Sequence, residues 1–92
     1  MSAELAIVWQ GGGEGRVLSV RGDAVTVRSS KPFAPGSRPE GRLGASDVLR
    51  LKTHRCRRLD QGDGLEFTSE GRTLDLSREL RDRLEALTAT PA

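Results

Sequence analysis

Aromatic residues are nearly missing from this chain. Trp9, Phe33 and Phe67 are the only three, and there is no tyrosine. Surfaces that hold nucleic acid usually interleave rings for base stacking with cations, so the shortage weighs against that role. Cys56 is the single cysteine, which excludes an internal disulfide and a cysteine-based zinc cluster. Long apolar runs are also lacking. The longest is Leu5-Ala6-Ile7-Val8-Trp9, followed by Val17-Leu18 and Val48-Leu49, whereas a spanning helix needs about 20 residues. Met1-Ser2-Ala3-Glu4 has no basic stretch of the kind that opens a secretory signal, so a cytoplasmic location is expected. At 92 residues and 10.0 kDa the expectation is one domain over 1–92. A domain of this size buries only roughly 60–65% of its unfolded surface, which leaves little room for a deep catalytic pocket.

Charge is almost balanced, with Lys+Arg 15 against Asp+Glu 13 and a net of +2. Lys31 and Lys52 are the only lysines. The bias toward arginine reads as a coding preference of a GC-rich genome rather than as a task. Distribution says more than the total. Val48 to Leu59 contains no acidic residue but holds Arg50, Lys52, Arg55, Arg57 and Arg58, with His54 among them. This run is the one strong electrostatic feature of the chain.

Leu5, Ile7 and Trp9 alternate with Ala6 and Val8, which predicts a mostly buried strand. Gly11-Gly12-Gly13-Glu14-Gly15 breaks it, because glycine gives up more backbone entropy than alanine in any regular element. Arg16–Val20 and Ala24–Arg28 flank Arg21-Gly22-Asp23 and predict a β-hairpin. Ser29–Gly36 reads as a loop, with Phe33 as its anchor to the core and Pro32 and Pro35 removing two donors. Arg38–Leu43 predicts a short strand, with Pro39 near its start. Gly44-Ala45-Ser46-Asp47 is a turn, Val48–Leu59 a long strand, Gln61-Gly62-Asp63-Gly64 a further turn, and Leu65–Thr68 a short strand with Leu65 and Phe67 on one face.

The period then changes. Leu76, Leu80, Leu84 and Leu87 fall on one helical stripe. Ser77 is placed as N-cap and Glu79 sits in the first turn. Glu79–Arg83, Arg78–Asp82 and Arg81–Glu85 are spaced for i,i+4 pairing, and Pro91 follows the last periodic leucine. The fold class is therefore mainly β. It is a small six-stranded antiparallel β-barrel over about residues 4–69, with one C-terminal α-helix over about 76–89.

The long strand poses a conflict. Strict alternation puts Leu49, Leu51, Thr53, Arg55, Arg57 and Leu59 on one face, which would bury two arginines. Unpaired buried charge costs several kcal/mol, far more than a bulge. A one-residue bulge near Thr53–Arg55 is predicted, with Leu49, Leu51 and Cys56 inward and Arg55 and Arg57 outward.

Enzyme motifs are not found. The glycine run does not match a phosphate loop and reads as a hairpin tip. His54 and Cys56 would share a face of a regular strand, but no motif surrounds them and both read as structural. Arg21-Gly22-Asp23 spells an adhesion tripeptide and reads as a turn. Asp60 and Asp63 cannot build an oxygen-rich metal site alone. No catalytic residue, metal site or cofactor is expected. The basic strand has three readings: a solvated face that guards an edge, a protein-binding face, or a nucleotide or nucleic-acid contact.

From Arg16 to the C-terminus the chain resembles a PilZ domain, the small bacterial signalling barrel with a terminal helix. The resemblance rests on Val17-Leu18-Ser19-Val20-Arg21-Gly22, Lys31-Pro32-Phe33-Ala34-Pro35-Gly36, Arg55-Cys56-Arg57-Arg58, Gly64-Leu65-Glu66-Phe67 and the helix Ser77–Leu87. Members that bind cyclic di-GMP carry R-x-x-x-R before the barrel and [D/N]-x-S-x-x-G in the first hairpin. Here Ser19 and Gly22 match the second motif, while Val17 stands at its acidic or amide position, and no arginine precedes Arg16. The resemblance implies a degenerate member that does not bind the dinucleotide. Members lacking the motifs act through protein partners, often in motility or related regulation.

The expected function is a non-catalytic cytosolic adaptor or regulator that binds protein through Arg50, Lys52, Arg55, Arg57 and Arg58, a surface suited to an acidic partner. The alternatives are a cyclic di-GMP receptor with a non-standard site and a small basic nucleic-acid-binding barrel. Membrane insertion is not expected, and pairing with a second copy is open.

Overall fold

In the computed structural model the described residues are 5–44, 47–58 and 64–88. The expected positions Met1–Glu4, Ala45, Ser46, Leu59, Asp60, the turn Gln61–Asp63 and Pro91 lie outside them. Six strands form a closed barrel and one helix follows. The strands are β1 (Ala6–Trp9), β2 (Glu14–Arg21), β3 (Ala24–Ser29), β4 (Glu40–Leu43), β5 (Asp47–Arg58) and β6 (Phe67–Leu74), and the helix is α1 (Arg78–Thr88). Around the barrel the order is β1-β2-β3-β6-β5-β4, every pair is antiparallel, and β1 against β4 closes it.

Closure demands coiled strands, and bulges supply the bend. The register shifts between Val17 and Ser19 in β2 and between Thr53 and Arg55 in β5. The second shift lies where the conflict between apolar alternation and arginine burial required it. Thr53 pairs with Gly71 and Arg55 with Glu70, so His54 is the extra residue. Leu49, Leu51 and Thr53 are buried on the inward side, Cys56 is half-buried opposite Ser69, and Arg55 and Arg57 are exposed.

The core gathers Leu5, Ile7, Trp9, Val17, Val20, Val25, Val27, Phe33, Leu43, Leu49 and Leu51 from the barrel with Leu80 and Leu84 from α1. Leu76 and Leu87 pack at its margin, which completes the predicted leucine stripe. Trp9 occupies a slot made by absent side chains. Gly15 of β2 and Gly41 of β4 flank it, and a Cβ on Gly15 would sit 2.7 Å from Trp9 Nε1. A Cβ on Gly41 would overlap Ile7 Cγ2 and lie 2.9 Å from Trp9 Cε3. Phe33 meets Trp9 edge-on at 4.7 Å between ring centroids, so the proline-containing loop is anchored as expected.

Several expectations need correction. β1 is buried on one side only, because the outside of a single-layer barrel faces water; Val8 is 63% exposed. Gly15 belongs to β2 rather than to the breaker, since the indole needs its missing Cβ. The last strand starts at Phe67 and runs to Leu74, beyond the expected end of the barrel at residue 69. Its inward residues Ser69, Gly71 and Thr73 are small, as the narrow interior requires, and so it carries no apolar alternation. Leu65 precedes the strand and is half-buried, as is Phe67. In α1, Ser77 Oγ accepts the Leu80 N–H at 3.1 Å, as an N-cap does. Arg83 turns to Asp47 of β5 instead of to Glu79. No helix among the described residues is long and apolar enough to cross a membrane.

Candidate functional site

The outer face of β5 and its neighbours β6 and β3 collects the charge. Pairing register orders it in three rows. Ala24, Arg72 and Lys52 form the first, Thr26, Glu70 and Arg55 the second, and Arg28, Thr68 and Arg57 the third. The five residues singled out in the sequence are brought onto this strand, but they are not equivalent. Arg50 Nε lies 2.6 Å from Glu40 Oε1. That carboxylate, first by hydrogen bond and then by charge, holds the Arg50 pKa above its ordinary value. Arg55 Nε lies 2.7 Å from Glu70 Oε2, and Arg58 Nη2 lies 3.4 Å from Glu66 Oε2. Exposed pairs of this kind add little to stability, because water and salt screen them and ordering two long side chains costs entropy. Among the described residues, no ion pair is formed by Lys52 or Arg57.

Sequence reading missed Arg72, Glu70, Thr68 and Arg28 as members of this face. The available signal was the alternation of Thr68, Glu70 and Arg72 with small residues, which marks a strand with a tight interior. Arg72 stands directly opposite Lys52, and like charges so placed repel.

The β2–β3 hairpin carries the motif remnants. Val17 is 1% exposed and belongs to the core. Ser19 is half-buried just after the bulge, and Gly22 is exposed in the turn with φ 59°, a left-handed conformation that glycine adopts without steric cost. The C-terminal helix closes over this hairpin. Gly22 N–H donates to Glu85 Oε2 at 3.0 Å, and Val20 N–H donates to Thr88 Oγ1 at 3.3 Å. A carboxylate therefore holds the backbone donor at the glycine of the motif.

Other features hold less chemistry. Gly11–Gly13 form the tip between β1 and β2, with Gly12 N–H donating to Trp9 O at 3.0 Å. His54 is exposed at the bulge and Cys56 is half-buried opposite Ser69, so the two do not share a face as on a regular strand. An open groove of about 610 Å³ runs along the outside of β1 and β4, lined by Val8, Arg42 and Val48 among others. A cleft of about 240 Å³ lies beside Trp9, Phe33, Lys31 and Arg38. Among known proteins, no family model, no curated protein and no solved structure matches this chain.

Proposed function

We propose that this chain is a non-catalytic cytosolic adaptor or regulator of the PilZ type. It acts through protein–protein contact in bacterial motility or related signalling and does not bind cyclic di-GMP. The observation that carries the reading is Glu85. Its carboxylate accepts the Gly22 N–H, at the hairpin where the resemblance would seat a dinucleotide with two phosphates. An anion there meets a negative charge and a donor already engaged. Val17, at the position that would need a hydrogen-bonding side chain, is a core residue.

The protein-binding surface is the outer face of β5. Arg50, Lys52, Arg55 and Arg57 on it, with Arg58 at the strand end opposite Phe67, supply long-range attraction for an acidic partner, and among the described residues Lys52 and Arg57 form no ion pair. Charges of this sort act mainly on association rate and on salt sensitivity. The test is capture of partners by the immobilised chain. Binding should fall with added salt and be lost in the Arg57→Glu/Lys52→Glu double variant. Partner capture that survives both changes would place the contact elsewhere.

A further inference from the structure

We propose that the outer face of β1 and β4 is the contact between two copies of this chain, related by a two-fold axis that runs along β1. Register lays out that face. Val8 of β1 stands opposite Glu14 of β2 on one side and Arg42 of β4 on the other, and Arg42 in turn stands opposite Val48 of β5. One row across four neighbouring strands therefore reads Glu14, Val8, Arg42, Val48. All four are exposed, as alternation requires where Ile7, Trp9, Leu43 and Leu49 beside them are buried. With strands about 4.8 Å apart, the acid and the base lie about 10 Å from each other with a valine between them.

This row has a reason to be covered. Val8 and Val48 are 63% and 45% exposed, the two highest values for a large apolar side chain among the described residues. Both line one open groove of about 610 Å³, with Arg42 between them. Single exposed valines are ordinary, whereas two in one row along a groove mark a contact surface. Glu14 and Arg42 form no ion pair among the described residues, so their charges are available to a partner.

The row is its own complement. A two-fold axis along β1 turns the second copy over and exchanges left with right. Val8 then meets Val8 of the second copy, Glu14 meets its Arg42, and Arg42 meets its Glu14. Each ion pair is made twice, as in any isologous contact. An axis along β4 would set Arg42 on Arg42, and one across the strands would also set Glu14 on Glu14. Like charges so placed repel, and of these three axes the one along β1 alone pairs both charges. The barrel is closed and offers no free strand edge, so copies meet by faces and not by extending a sheet. Its outer surface curves away, so the contact is confined to β2, β1 and β4. Such a strip is smaller than the roughly 800 Å² per partner of a standard interface. The dimer is accordingly weak, with a dissociation constant of about 0.1 mM.

This inference goes beyond the adaptor reading and does not rest on it, since Lys52 and Arg57 lie further along β5 than Val48. The experiment is sedimentation equilibrium of the full chain from about 10 µM to about 1 mM, tenfold either side of that constant. The mean mass should rise from 10.0 kDa toward twice that value. Val8→Glu, Arg42→Glu and Glu14→Arg should each weaken association at least about tenfold, because each sets like charges or a buried carboxylate in the contact. The Glu14→Arg/Arg42→Glu double variant exchanges the two charges and should return to within about threefold of the parent. Arg78→Gln at the start of α1 should change nothing. Fluorescence of the buried Trp9 checks that every variant is folded. A mass fixed at 10.0 kDa throughout overturns the dimer. Capture of an unrelated protein by such a monomer, lost in Val8→Glu, would give the face to a different occupant and overturn it too. A dimer that survives Val8→Glu, or a charge-exchanged variant as weak as its single parents, overturns the assigned face and axis.

Discussion

Adding one methyl group at Gly41 tests how the barrel holds its only tryptophan. A Cβ there would overlap Ile7 Cγ2 and come within 2.9 Å of Trp9 Cε3. Ile7 and Trp9 are 1% and 2% exposed, so neither side chain has solvent to move into. Overpacking of this kind costs about 1–3 kcal/mol. Against it, alanine narrows the unfolded ensemble and returns about 0.4–1 kcal/mol. Gly41→Ala should therefore destabilise the chain by about 1–2 kcal/mol, a fall in Tm of about 5–15 °C for a domain of this length. Denaturant unfolding followed by fluorescence of the single tryptophan measures it. The mechanism is checked by Ile7→Leu, which removes the branching Cγ2 at nearly constant volume and costs less than about 1.5 kcal/mol alone. In that background Gly41→Ala should cost less than in the parent. Additivity within about 0.3–0.5 kcal/mol, or a Gly41→Ala variant as stable as the parent, would refute the slot.

Much of this architecture could be read from residue order because apolar alternation and turn chemistry agreed. Leu5/Ile7/Trp9, the hairpin around Gly22 and the leucine stripe of α1 each name their element. The bulge at His54 was also legible, from the cost of turning Arg55 and Arg57 inward. β6 was cut short for a physical reason. Closure brings Gly71 against the β5 backbone at Lys52 and Thr53, and its neighbours Ser69 and Thr73 fill a narrow interior, so the strand lacks the apolar period. Half of the charged face was hidden with it, since Glu70 and Arg72 become neighbours of β5 only through that pairing. The grip of Glu85 on Gly22 spans 63 positions, and nothing local in the sequence announces it.

Other substitutions read separate parts of the account. Ser77→Ala removes the side chain that caps the Leu80 N–H and should cost about 1 kcal/mol, seen as a lower denaturation midpoint with unchanged slope. Lys52→Glu replaces a like-charge neighbour of Arg72 with an opposite one. It should raise stability by about 0.5 kcal/mol at low salt, a gain that fades in 1 M salt as the Debye length shrinks to about 3 Å. A gain that persists in high salt would mean that its source is not electrostatic.

The most direct measurement of the adaptor reading is isothermal titration of the full chain with cyclic di-GMP. The occupied donor at Gly22 and the buried Val17 lead to no saturable heat with the dinucleotide at up to about 100 µM, a level that would half-fill a site worth about −5.5 kcal/mol. A dissociation constant below about 10 µM, about −7 kcal/mol, would contradict the account and make the molecule a second-messenger receptor.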